Sequence, residues 1–152
     1  MTSRVRARRD DDLGPLVAIL GRTHRLDAYP VRAARVDAAW LVEHVLVAWV
    51  VELDGFVAGH VALQDGGVDV LEVVRLFVDP DARGHGLGGA LLDVVDGHAR
   101  QVGATLTLDV VDDDRAAIAL YERRGWRRTG SRTADWSAPD AAPPVVLTYV
   151  LP

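Results

Sequence analysis

The sequence predicts a mixed α/β fold: a central, mostly antiparallel sheet of about seven strands, one parallel junction in it, and helices on both faces. Three observations predict it. Asp54-Gly55 is a two-residue hairpin turn between the apolar runs 44–53 and 56–63. Asp65-Gly66-Gly67 marks a second turn before the run 71–78, so these three runs read as an antiparallel meander. The third run then passes through a glycine-rich loop into an amphipathic helix and on to a further strand at 105–111. Strand, crossover helix and strand imply a parallel pair with a right-handed connection.

Each element has a local cause. Val5 and Ala7 alternate with polar residues, giving a short first strand over 3–8. Asp10, Asp11 and Asp12 suit the start of a helix through Leu13, Leu16, Val17 and Leu20, because carboxylates favour the positive end of the helix dipole. Pro15 is tolerable only in its first turn. A second helix is expected over 31–42, after Pro30. Runs 44–53, 56–63 and 71–78 follow as strands, with a turn over 64–69. The next helix lines up Leu87, Ala90, Leu91, Val94, Val95, His98 and Val102 on one face and stops at Gly103. Asp112 to Asp114 cap a helix over 115–124, ended by Gly125. Residues 126–134 and 145–151 read as two last strands that pair across a Pro-rich loop, 138–144. There is no internal repeat and no interdomain linker, so residues 1–152 read as a single domain.

Composition removes several function classes. At 152 residues, 49% hydrophobic and 26% charged, the chain suits a globular core. No apolar run reaches the roughly 20 residues of a membrane span, and the N-terminus lacks a secretory signal, so no membrane partner and a cytoplasmic location are expected. Cysteine is absent, which removes disulfides, thiolate zinc sites and a cysteine nucleophile. The histidines show no metal-binding spacing, so no metal is expected. A net charge of −5 argues against nucleic acid as a partner and weakly favours a cationic one. The chain contains neither Lys nor Asn.

The stretch Arg83-Gly84-His85-Gly86-Leu87-Gly88 carries the most chemistry. Glycines before a helix leave its first N–H groups unobstructed, and those groups with the helix dipole favour phosphate. Three motif readings compete. The run from Gly84 to Gly89 matches G-x-G-x-x-G of dinucleotide-binding folds, with Asp109 at the distance of the acidic partner. Against that reading, 79–83 separate the strand from the first glycine, Asp109 lies inside a strand, and a hairpin precedes the loop. A Walker-type loop needs a lysine the chain does not have.

The third reading fits best. Arg83-x-x-Gly86-x-Gly88 resembles the [QR]-x-x-G-x-[GA] acyl-CoA signature of the GNAT superfamily of N-acetyltransferases. Leu76-Phe77-Val78-Asp79-Pro80 looks like that family's fourth strand and its exit, and Leu106-Thr107-Leu108-Asp109-Val110 its fifth. Ala116 to Trp126 looks like its "A-x-x-L-Y-x-x-x-G-[FW]" helix. The match runs from Leu71 to Trp126 in the family's order.

The resemblance implies transfer of an acetyl or similar acyl group from acetyl-CoA, as cosubstrate, to a primary amine on a small molecule or peptide. A non-catalytic acyl-CoA-binding scaffold is the competing class. Dimers are common among relatives, which leaves a homodimer open. The cofactor's diphosphate would meet backbone N–H groups of Arg83, Gly84, His85, Gly86, Leu87 and Gly88. Gly86 and Gly88 serve either close phosphate approach or only a tight turn. Arg83 adds charge there or is simply solvated. The fourth strand would splay from the fifth, so that backbone groups of Leu76, Phe77 and Val78 pair with the pantetheine arm and one N–H polarises the thioester carbonyl. Tyr121 is the candidate general acid for the leaving thiolate; a packed core tyrosine is the alternative. Glu72 is the candidate general base, a salt bridge or solvated edge its alternative, and Asp109 and Glu43 are weaker candidates. Asp114 stands where relatives have Asn against the pantetheine; an ionised Asp only accepts, though it can still cap a helix. Arg115, Arg123, Arg124, Arg127 and Arg128 either meet the 3′-phosphate of CoA or are solvated.

Overall fold

The computed structural model describes residues 2–27, 29–30, 35–137 and 140–152. Seven strands, β1 (Ser3–Ala7), β2 (Val47–Leu53), β3 (Phe56–Gly67), β4 (Val70–Val78), β5 (Thr105–Val111), β6 (Arg127–Thr133) and β7 (Val145–Leu151), form one sheet. Their order is β1-β2-β3-β4-β5-β7-β6, and all neighbours are antiparallel except β4 and β5. The mixed fold predicted above is therefore the observed one. A doubly wound parallel sheet, which a dinucleotide reading requires, is not.

The helices are α1 (Leu13–Asp27), α2 (Ala38–Val42), α3 (Leu87–Val102) and α4 (Arg115–Arg123). Leu87, Leu91, Leu92 and Val95 of α3 and Tyr121 of α4 pack with Val61, Leu63, Leu106, Leu108 and Tyr149 on one face of the sheet. Leu16, Ile19 and Leu20 of α1 and Leu41 of α2 pack with Val50 and Phe77 on the other. Helices thus cover both faces.

Several boundaries differ from the sequence expectation, each for a local reason. Helix α1 runs to Asp27 rather than Leu20, because Ile19, Leu20 and Thr23 continue the buried stripe. The helix expected over 31–42 begins at Ala38, where Asp37 accepts the Ala39 N–H at 3.2 Å; residues 31–34 lie outside the described set. Strand β2 starts at Val47, since His44 has φ 58° and ends the regular backbone. Strand β3 absorbs most of the expected turn over 64–69: a bulge at Asp65/Gly67 carries it on, with the Asp65 Oδ1 accepting the Gly67 N–H at 2.9 Å. Asp10–Asp12 form a 3-10 turn, and buried Asp12 pairs with Arg6 at 2.8 Å instead of facing solvent.

Candidate functional site

Strands β4 and β5 pair only at Val70–Thr105, Leu71–Leu106 and Glu72–Thr107. Beyond Glu72 the two strands part, and β5 continues its pairing with β7 alone. The β4 edge over 73–78 therefore faces a cleft, with backbone groups on that side unpaired among the described residues. A bulge accentuates the parting. His60 pairs with Phe77 and Ala62 with Val74, so Arg75 and Leu76 together oppose Val61. Arg75 has φ 52°, a conformation rare for a residue with a β-carbon.

The glycine loop lies at the end of this cleft, after a 3-10 turn at Pro80–Ala82. Gly86 is the N-cap of α3 at φ 72°, with no side chain capping the helix. None of the amides of Gly86, Leu87, Gly88 and Gly89 donates to a described backbone group outside the helix, leaving four donors in one helix mouth. A Cβ at Gly84 or Gly86 would meet nothing within 4 Å, so the space above the loop is open. Gly88 differs: a Cβ there would touch Leu120 of α4 at 3.5 Å, ordinary contact. His85 uses its ring locally, its Nδ1 lying 3.0 Å from the Ala82 carbonyl. Arg83 is neither free nor merely solvated: its guanidinium pairs with Asp27 at the end of α1.

The α4 side supplies Tyr121 and Asp114. The Tyr121 ring is 7% exposed and packs at 5.9 Å from Trp126 and 6.3 Å from Tyr149. Its hydroxyl has no hydrogen-bond partner among the described residues, yet it is not sealed from solvent, since the one sealed and unpaired side-chain atom among them is Arg75 Nε. Burial, with the charges of Tyr29 and Asp114, raises its pKa well above the ordinary phenol value. A neutral, unpaired phenol of this kind is a proton donor at physiological pH. Asp114 accepts the Ala117 N–H at 3.2 Å, so the N-cap role is filled.

Glu72 stands at the last β4/β5 pair, where the cleft opens, and accepts from Gln64 Nε2 at 2.7 Å. Asp109 is bound to Arg132 at 2.8 Å and to Thr148 Oγ1 at 3.0 Å, away from a base role. Glu43 lies exposed beside His44. Arg124 is taken by Asp93 of α3.

Sequence reasoning did not single out Arg75, Tyr29 or Trp40. They gather on the α1/α2 face of β4. The Arg75 guanidinium carbon sits 5.0 Å from the Trp40 ring, and Trp40 meets Tyr29 edge-on at 6.2 Å. A signal was present. Glu72 and Arg75, three apart in an apolar run, fall on opposite faces of a regular strand, so one would enter the core unless a bulge intervened.

The acetyltransferase (GNAT) family model matches residues 15–126. The mycothiol acetyltransferase of Geodermatophilus obscurus is 46% identical over 70 residues, covering 45% of this chain and 23% of that protein. The chain thus spans well under two thirds of the curated relatives it matches first, whose own coverage is 23%, 39% and 38%. An N-acetyltransferase structure from Staphylococcus aureus Mu50 superposes with TM-score 0.83 at 22% identity, covering 99% of this chain and 98% of that one. A structure of yncA from Salmonella typhimurium with its cofactor acetyl-CoA gives TM-score 0.77 at 19% identity, covering 99% and 94%. With the open strand pair and the uncapped glycine loop in place, and three quarters of its length inside the family model, the chain belongs to the acetyltransferase (GNAT) family.

Proposed function

We propose that the protein is an N-acetyltransferase that moves an acetyl group from acetyl-CoA to a primary amine by direct attack on the thioester, with residues 1–152 acting as one catalytic domain. The observation that carries this reading is the juxtaposition of the three-pair β4/β5 junction with the uncapped mouth of α3. The residues fit the cofactor: unpaired amides and open space suit a diphosphate, and an unpaired strand edge suits the amide-bearing pantetheine arm. Bound acetyl-CoA supplies an activated acetyl carbon, which the amine nitrogen attacks as the carbon–sulfur bond breaks.

The chain's residues do the rest. Amides of Arg83 to Gly88 hold the diphosphate. Backbone groups of Leu76, Phe77 and Val78 align the arm, and one N–H stabilises charge on the carbonyl oxygen. The Tyr121 hydroxyl gives its proton to the departing sulfur and recovers one from solvent. Glu72 takes the amine proton, directly or through water. Asp114 bounds the arm at the α4 N-cap.

Calorimetry with acetyl-CoA, followed by CoA release across a panel of amines, tests the reading. Saturable binding and amine-dependent release are expected. Binding without release on any amine would instead support a non-catalytic acyl-CoA scaffold, and no binding at millimolar ligand would remove both.

A further inference from the structure

We propose that Arg75 and Arg35, set against the Trp40 ring beside Tyr29, form a subsite for a carboxylate on the acceptor, so that the acceptor is a small amine bearing a carboxylate, of amino-acid type. The inference rests on the acetyl-transfer reading and narrows it.

Arg75 is 8% exposed and has no carboxylate partner among the described residues. Its Nη2 donates to the Glu43 backbone carbonyl at 3.0 Å, while its Nε is sealed and unpaired. A buried cation with an orphaned donor and no carboxylate within bonding distance is costly, and Glu43 and Glu72 offset that cost only through longer-range attraction. The surroundings add to the cost. Burial lowers the Arg75 pKa and repulsion from Arg35 and Arg8 adds to this, against the opposing pull of Tyr29, Glu43 and Glu72. Its backbone is held in the left-handed region at φ 52°, an outlier of the kind that aims functional side chains.

Position supplies the rest. Arg75 adjoins Leu76 to Val78, the β4 edge at the cleft, and its bulge places it on the same face as Glu72. The diphosphate-holding loop opens α3, which packs on the opposite face. Exposed Arg35 and buried Arg75 lie 5.7 and 5.0 Å from the Trp40 ring on the α1/α2 side of that edge, where an acceptor would approach from the face opposite α3. A guanidinium stacked on an aromatic ring is suited to a planar carboxylate. The net charge of −5 points to a cationic acceptor, whereas Arg75 and Arg35 place two guanidinium groups together here.

The test pairs amino acids of increasing chain length with their carboxamides. CoA release should favour each acid over its amide by about tenfold or more in kcat/KM, mainly through KM. Arg35→Gln and Arg75→Lys should bring that ratio towards one; Arg35 is exposed, so its variant stays informative if Arg75→Lys fails to fold. A second readout needs no turnover. Trp40 fluorescence should respond to N-acetyl amino acids at lower concentration than to N-acetyl amino amides, with Trp40→Phe identifying the signal. Discrimination in fluorescence without turnover would uphold the subsite and remove the acetyl-transfer reading. Turnover or binding that ignores the carboxylate would overturn the inference while leaving acetyl transfer standing.

Discussion

His60 donates its Nδ1 proton to the carbonyl of Arg75, 2.8 Å away across the β3/β4 pair. The direction follows from the other nitrogen. Nε2 lies 3.0 Å from Arg8 Nη1, and a guanidinium can only donate, so Nε2 accepts and the proton sits on Nδ1. A neutral, fully buried imidazole therefore pins the bulge that carries Arg75, its ring stacked on Phe77 at 5.3 Å.

Burial pushes the His60 pKa down to about 4, against the weaker upward pull of its bond to the Arg75 carbonyl. The unfolded chain binds that proton near pH 6.5 and the folded chain does not. Stability is therefore complete above pH 6.5 and lost as pH falls towards 4, by roughly 3 kcal/mol in all. Urea denaturation between pH 7 and 4 should show this slope in the wild type and a much smaller one in His60→Gln. Equal slopes in both would mean that His60 is not the group responsible.

Tyr121→Phe keeps the ring against Trp126 and Tyr149 and removes only a hydroxyl that bonds to no described residue. Stability should change by less than about 0.5 kcal/mol. With acetyl transfer as the reaction, kcat should fall about 10²-fold while the KM for acetyl-CoA holds. Because the phenol's pKa is raised, its ionisation contributes no limb to the pH–rate profile below about pH 10. An unchanged kcat, with chemistry shown to limit the rate, would make Tyr121 a packing residue.

How far this was legible in the sequence depended on the range of the cause. The α3 helix and its glycine mouth were readable because Leu87, Leu91 and Val95 repeat at helical spacing and Gly86 and Gly103 mark its ends. Asp114 was readable as a cap for the same local reason. The parting of β4 from β5 left no trace in spacing and entered only through family resemblance. Strand β7 inserts between β5 and β6, a non-local pairing that no turn residue encodes. The Arg83–Asp27 pair joins residues 56 apart and was invisible for that reason. Arg75 was the avoidable omission, since its odd spacing from Glu72 announced the bulge.

Two glycines in one loop should behave differently. Gly86 needs φ 72°, so Gly86→Ala should cost about 1–2 kcal/mol and weaken CoA binding as the helix mouth rearranges. Gly88 has ordinary backbone, and an alanine there would only touch Leu120 at 3.5 Å. Gly88→Ala should stay within about 0.5 kcal/mol of wild type. Thermal denaturation and CoA calorimetry on the pair check this. Equal losses would show that a bare surface at both positions, rather than backbone conformation at one, is what the loop requires.

Arg83 has two competing anions. In the structure its guanidinium is held by Asp27, and half its side chain is exposed, so the pair itself adds at most about 1 kcal/mol to stability. A diphosphate at the α3 mouth would offer the same cation a stronger, doubly charged partner. Asp27→Asn releases Arg83 from the first partner without touching the second. CoA affinity should therefore rise about threefold to tenfold in Asp27→Asn, fall in Arg83→Gln, and in the double variant equal that of Arg83→Gln alone, because Asp27 then has nothing to compete for. Calorimetry on the four proteins completes the cycle. If Asp27→Asn strengthens binding equally in the absence of Arg83, the effect is removal of a negative charge near the phosphates, and Arg83 does not change partners.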